Sequence, residues 1–199
     1  MSYAIIGFGA IGQALARAFA RNDIEVTVAS RRPPEALLPA AQAIGPKVVP
    51  RTLQEAVKAD VIFLAVRYEG HQEVARALPD WLGKTVIDAT NTNQPVAELD
   101  GLPSSAFVAR SFPGARFVKG FNHLPSATLA SDPEVEGGHR VVFLSSNDEP
   151  AAAKVAELAK RLGFAPVNLG RLEEGGTLVQ ARGKAWAPLI FQDLFKQTA

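Results

Sequence analysis

The chain has 199 residues, 47% of them hydrophobic and 21% charged, with a formal net charge of +1. That fits one globular domain, or one domain with a small extension, and gives no general attraction to nucleic acid or to a membrane surface. The absence of cysteine excludes disulfides, thiolate-bound metal clusters and thiol catalysis. No leader or apolar run of about 20 residues is evident, so a cytoplasmic protein is expected.

The first element is a short apolar strand over Tyr3 to Ile6, followed by Gly7-Phe8-Gly9-Ala10-Ile11-Gly12. After it, Ile11, Leu15 and Phe19 recur every four residues beside Ala14 and Ala18, which predicts a helix with one apolar face. "IEVTVAS" is then a second strand, rich in β-branched residues. Strand, glycine turn, helix and strand form the context that gives G-x-G-x-x-G its meaning. Gly7 permits the tight turn, Gly9 leaves room for a pyrophosphate, and Gly12 lets helix and strand pack closely. The free N–H groups and positive dipole end of the helix face the phosphates. Gly7, Phe8, Gly9, Ala10, Ile11 and Gly12 are therefore the candidate pyrophosphate-binding segment.

The residue that reads the adenosine ribose is expected about 20 positions on, at the end of the second strand. Ser30 stands there, followed by Arg31 and Arg32, with no acidic residue. A carboxylate would bind free ribose hydroxyls and repel a 2′-phosphate. A hydroxyl and two guanidinium groups suit the phosphate, so this is read as an NADP(H) site. The plainer alternative is a pair of solvated loop arginines. Pro33-Pro34 should end the strand and open the next helix.

The alternation continues. "PKVVP" predicts a strand, and "TLQEAVKA" a helix with Thr52 and Glu55 as a capping box. "DVIFLAV" should be a strand buried on both faces, "EGHQEVARALPDWL" a helix and "KTVIDAT" a strand. "LPSSAFVARSF" predicts a helix, "ARFVKGFN" and "HRVVFLSS" strands, "EPAAAKVAELAKRLGF" a helix and "APVNLG" a strand. From Arg171 the tail reads as helix, broken at Pro188. The fold class is thus α/β: a Rossmann-type, doubly wound, mostly parallel sheet with a small C-terminal α/β extension. Residues 1–125 would be the NADP-binding domain. Residues 126–199 would complete the sheet and form part of the substrate cleft or a dimer contact.

Ligands of such a sheet bind beyond the carboxyl ends of the strands. Val66 and Arg67 follow strand four there, Asn91 and Asn93 follow strand five, and Asn122 and His123 follow strand six. Val66, Arg67 and Asn91 are candidate cofactor contacts; for the asparagines, plain turn formation is an equal alternative. Asn122 and His123 are the candidate catalytic residues, His123 being the best-placed proton donor or substrate contact. His71 reads as a partly exposed helical histidine, and Asp60 and Asp88 as strand-flanking residues. His71, His123 and His139 share no metal-ligand spacing, and no nucleophile elbow or Tyr-x-x-x-Lys pair exists. So sparse an inventory suits hydride transfer between stacked rings, which needs orientation more than an acid.

"IIGFGAIGQALARAFARNDIEVTVASRRP", "ADVIFLAVRYEGHQEV", "KTVIDATN" and "FVKGFNHLP" together resemble the NADP oxidoreductases that use coenzyme F-420, a 5-deazaflavin. The same dinucleotide fold occurs in the cytosolic domain of membrane ferric reductases. The resemblance spans nearly the whole chain. It implies that the Ser-Arg pair holds the 2′-phosphate and that the turn at Asn122–Pro125 approaches the nicotinamide. It further implies hydride exchange between NADP(H) and a deazaflavin or flavin-like ring, and a homodimer. Arg67 and His123 depart from that family's pattern and leave the second substrate open: a small carbonyl or imine, a ferric or flavin acceptor, or a sensor role without turnover. The apolar tail, with Trp186, Leu189, Ile190, Phe191, Leu194 and Phe195, would cover the cleft or form the dimer contact.

Overall fold

The structure is a computed structural model and describes residues 1–92, 94, 96–180 and 194–195. Strand β1 (Tyr3–Ile6) leads through helix α1 (Ala10–Arg21) to β2 (Val26–Ala29), α2 (Pro34–Ile44) and β3 (Val48–Pro50). After α3 (Leu53–Ala56) come β4 (Val61–Leu64), α4 (His71–Ala75), β5 (Thr85–Asp88), α5 (Ser104–Ala109) and β6 (Arg116–Gly120). The sheet order β3-β2-β1-β4-β5-β6 is parallel throughout. The order reverses between β1 and β4, the switch point where dinucleotides bind such sheets.

Alternate residues along the strands face two cores. Ile5, Phe63 and Ile87 pack with Leu15 and Phe19 of α1. Ala4, Ile6, Ile62, Leu64 and Val86 pack with Trp81, Val108 and Phe112 on the other face. The two-residue period of a strand thus divides the apolar residues between the layers. Tyr3, Phe19, Phe63, Phe121 and Phe164 form a file of ring contacts with centroids 5.3–5.9 Å apart, a spacing that favours tilted and edge-on aromatic pairs.

Three local expectations change. Helix α4 stops at Ala75 instead of running to Leu82. Its continuation would need an N–H at Pro79, which has none; the Trp81 indole N–H donates to the Ala75 carbonyl instead, at 3.0 Å. His71 is buried, 2% exposed, because its ring packs on Tyr68 at 5.1 Å and Nδ1 pairs with the Tyr68 carbonyl. The tail forms α8 (Gly175–Leu178) and a two-residue strand at Leu194–Phe195, so these last two residues are extended, not helical. Trp186, Leu189, Ile190 and Phe191 lie outside the described residues.

Beyond β6 the chain passes through α6 (Ser126–Ala130), β7 (Glu134–Val135), β8 (Gly138–Ser146), α7 (Glu149–Arg161) and β9 (Ala165–Asn168). β8 runs antiparallel to β6, and β9 parallel to β8. Five-residue α6 is too short to carry the chain back across the sheet, as a parallel crossover requires. A hairpin with Glu136 and Gly137 at positive φ turns β7 into β8 instead.

Asp88 is a buried structural ion rather than a strand-flanking residue. It stands in register with Lys119 across β5 and β6, and both side chains are fully buried. The Lys119 ammonium donates to Asp88 Oδ2 at 3.2 Å and to the Thr90 carbonyl. Ser105 Oγ and the Thr90 N–H also donate to the Asp88 carboxylate, each at 2.9 Å. Burial pulls the Lys119 pKa down and Asp88 counteracts it. Replacing Lys119 by Met leaves a buried, unpaired carboxylate and should cost about 3–5 kcal/mol. The Asp88→Asn, Lys119→Met double variant should lose less in urea unfolding; an equal or larger loss contradicts this account of the pair.

Candidate active site

The glycine loop is built by close packing. Gly7 turns out of β1 at φ +104°, a conformation that side chains disfavour, and its N–H donates to the Ala29 carbonyl at 2.8 Å. A Cβ on Gly12 would strike the Gly7 carbonyl, so only glycine lets α1 start this close to β1. Around Gly9, in contrast, a Cβ would meet no protein atom within 4 Å. Gly9 is also the N-cap of α1, with no side chain capping the first turn. The first N–H groups of α1, at Ala10 and Ile11, accordingly have the free character and positive dipole end that attract anions.

Open space continues from there into a cleft of about 600 Å³. Of the expected residues, its walls include Gly7, Phe8, Gly9, Ser30, Arg31, Arg32, Val66 and Arg67. Ser30 Oγ accepts the Arg32 N–H at 3.0 Å and so fixes the turn after β2. Arg31 lies over Gly70 and reaches Glu73 of α4, where Nε donates to Oε2 at 2.8 Å and Nη2 forms an ion pair with the same oxygen at 2.7 Å. The Arg32 and Arg67 guanidinium groups have no partner among the described residues.

A second open cleft, about 470 Å³, adjoins the first and shares Arg67 and Glu69 with it. Tyr68, Asn91, Thr92, Gln94 and Glu98 complete its wall. Asn91 is held by exchange with Asn122: its Nδ2 donates to the Asn122 carbonyl at 2.8 Å, and Asn122 Nδ2 donates to Asn91 Oδ1 at 3.0 Å. Asn122 Nδ2 also reaches the Val179 carbonyl at 2.8 Å. Phe121 stands at φ +60° in the core, an uncommon conformation, at the turn from β6 into Asn122. The His123 ring, 2% exposed, packs 4.8 Å from that of Phe143. The Asn122 and His123 side chains are thus buried and stand outside both cleft walls; Ala10, Ile11 and Gly12, in the first turn of α1, are also absent from the walls. Asn93 lies outside the described residues.

Among the described residues Tyr68 Oη, Thr90 Oγ1 and Asn122 Oδ1 are buried without a hydrogen-bond partner, as are His71 Nε2 in α4 and Ser145 Oγ in β8. The first three belong to residues just past the carboxyl ends of β4, β5 and β6. Buried polar atoms are seldom left unpaired, so unmet capacity gathered at this edge marks it as a place for ligand or ordered water. Tyr68 is pushed up to about 12 by burial, reinforced by Asp88 and Glu69. Sequence reasoning missed Tyr68, Thr92, Gln94 and Glu73. The first three stand within a few residues of the strand ends, a signal that was available; nothing in the sequence marks Glu73. Among the described residues no cluster of His, Asp or Glu could hold a metal ion, and no helix is long and apolar enough to cross a membrane.

A glycine-looped helix at the reversal of a parallel sheet defines a dinucleotide-binding α/β protein. Residues 2–92 match the family model described as NADP oxidoreductase, coenzyme F420-dependent. A hypothetical protein of Sinorhizobium meliloti, SMa0349, is 39% identical in a solved structure that covers 100% of this chain and 96% of that one, with a TM-score of 0.89. A structure from Arthrobacter sp. FB24, described as a candidate F420-dependent NADP-reductase, is 27% identical, with a TM-score of 0.71 and coverage of 96% and 92%. The metalloreductase STEAP2 of Mus musculus is 31% identical over 172 residues, 84% of this chain and 33% of the relative. The chain therefore spans about a third of the curated relatives it matches.

Two predictions follow from the glycine contacts and from Tyr68. Gly12→Ala should lower the melting temperature sharply. Gly9→Ala should leave it unchanged but weaken NADPH binding by about tenfold, or 1.4 kcal/mol; similar melting losses for both would contradict the assignment of the space over Gly9. Because the Tyr68 pKa is raised by folding, its contribution to stability is present below pH 10 and is lost as the pH climbs towards about 12. Tyr68→Phe should flatten the fall in unfolding free energy across that window.

Proposed function

We propose that the protein binds NADP(H) in the larger cleft and exchanges a hydride between it and a deazaflavin or flavin-like ring in the smaller one. The observation that carries this reading is the adjacency of two open clefts along the switch-point edge, sharing Arg67 and Glu69. The family-model match over residues 2–92 supports the nicotinamide coenzyme and agrees with a ring acceptor. The name of the Arthrobacter neighbour agrees with both.

Bound NADPH would supply the hydride. The first turn of α1 would hold the pyrophosphate over Gly9 by backbone N–H groups, and the Ser30–Arg32 turn the 2′-phosphate. Charge-assisted bonds of this kind are about twice as strong as neutral ones. Arg67, at the junction, would offset negative charge where both ligands meet. Asn91, fixed by Asn122, and Thr92 would present amide and hydroxyl groups to the acceptor. His123 acts in this reading beneath the strand ends, packed on Phe143, rather than as an acid in the cleft. Tyr68 remains protonated at neutral pH, so it can donate a hydrogen bond but is a weak source of protons. The chain's contribution is then mainly orientation of two rings. The homodimer implied by the family resemblance belongs to the same reading and is checked by light scattering.

The test is stopped-flow mixing of NADPH-loaded protein with a deazaflavin, FAD, FMN, a ferric chelate and small imines, followed at the nicotinamide absorbance. Fast oxidation by the deazaflavin or a flavin is expected. Oxidation only by the chelate or an imine would overturn the ring acceptor, and none at all with NADPH tightly bound would favour a sensor. Reversing the charge of Arg31 and Arg32 together should raise the NADPH Kd by about 30-fold or more, roughly 2 kcal/mol, while sparing NADH. Equal loss for both coenzymes would overturn the 2′-phosphate site.

A further inference from the structure

The turn after β2 contains no acidic residue, yet a carboxylate stands in that cleft. Glu73 reaches it from α4, forty-two residues further along the chain, and lines the same wall as Ser30, Arg31 and Arg32. Its Oε2 accepts from Nε of Arg31 and pairs with the charge at Nη2, 2.7 Å away. Those two parallel N–H groups form the edge of the guanidinium fork that matches a phosphate or carboxylate. One of the two arginines that would read a 2′-phosphate is therefore already occupied, whereas the guanidinium of the other, Arg32, has no partner among the described residues.

We propose that Glu73 sets how sharply this protein distinguishes phosphorylated from unphosphorylated dinucleotides. The inference rests on the reading that the 2′-phosphate binds at Ser30–Arg32. With NADP(H), the phosphate must displace Glu73 from Arg31 or bind beside it. The side chains of the pair are 75% and 51% exposed, and an exposed pair is worth about 1 kcal/mol or less. A phosphate carrying a charge of about −1.5 to −2 wins that exchange, but at a reduced net gain. With NAD(H) there is no phosphate. Arg31 stays paired, and the Glu73 carboxylate can accept hydrogen bonds from the ribose hydroxyls, as an acid at the end of the second strand does in NAD-binding sheets. Glu73 thus weakens the preferred coenzyme and supports the other, leaving a finite preference for NADPH.

Glu73→Gln keeps the shape and removes the charge at an exposed position, so folding is not at stake. NADPH and NADH Kd values are measured by nicotinamide fluorescence for the wild type, Glu73→Gln and Arg31→Ala. The expected result is that Glu73→Gln tightens NADPH by about two- to fivefold, leaves NADH unchanged or weaker, and so widens the ratio of the two constants. The widening should shrink as salt is raised, since exposed charges are screened. A ratio that is unchanged or narrowed overturns the inference, the narrowed case showing that Glu73 instead holds Arg31 ready for phosphate. Arg31→Ala separates the two levels. If it weakens NADPH selectively while Glu73→Gln changes nothing, only the role of Glu73 fails. If the wild type shows no preference for NADPH and Arg31→Ala has no effect, the 2′-phosphate reading fails and the inference with it.

Discussion

The site depends on the contact between Gly12 and the Gly7 carbonyl. That contact brings the start of α1 against the end of β1, so the first turn of the helix opens directly onto the reversal of strand order. Any side chain at Gly12 would push α1 outward and withdraw its N–H groups from the strand ends. The Ile5 and Leu15 packing beneath it uses the same close approach. Core packing and anion binding are therefore met by one geometry, with empty space over Gly9 left between them.

A second constraint lies three strands away. The buried Lys119–Asp88 pair binds β5 to β6 and, through the Thr90 carbonyl and N–H, holds the start of the turn that carries Asn91 and Thr92. Desolvating two charges is costly, and a pair of apolar residues would hold the strands together at least as well. What the ions add is direction: their bonds fix the Thr90 backbone and the Ser105 hydroxyl at the end of β5. The left-handed Phe121 acts in the same region by turning Asn122 back towards Asn91. The wall of the smaller cleft is thus set by polar contacts, whereas the wall of the larger one is set by glycine packing.

The parallel sheet was legible because every βα unit up to β6 carried its own signal: glycine spacing at Gly7–Gly12, prolines at 33–34, the Thr52–Glu55 box and the unbroken apolar run of β4. The capping box is present as both reciprocal bonds. What was not legible depended on particular contacts, near or distant in sequence, that no pattern of residue types marks. The stop of α4 rests on an indole N–H at Trp81 taking a carbonyl that Pro79 cannot serve. The reversal of β8 rests on the brevity of α6, and the burial of His71 on the Tyr68 ring. Asp88 and Lys119 become an ion pair only through the register of β5 on β6. At the site, strand-end residues were found by position alone, which brought Val66, Arg67 and Asn91 to the clefts but also selected Asn122 and His123, whose side chains turn inward. Glu73 approaches from another unit altogether, so no local pattern could reveal it.

The most direct measurement is a crystal structure of the protein with NADP⁺. The account predicts the pyrophosphate over Gly9 against the first turn of α1, the 2′-phosphate within the Ser30–Arg32 turn, and the nicotinamide running past Arg67 towards Asn91. A dinucleotide bound elsewhere, or one whose 2′-phosphate points to solvent away from Arg31 and Arg32, would contradict it.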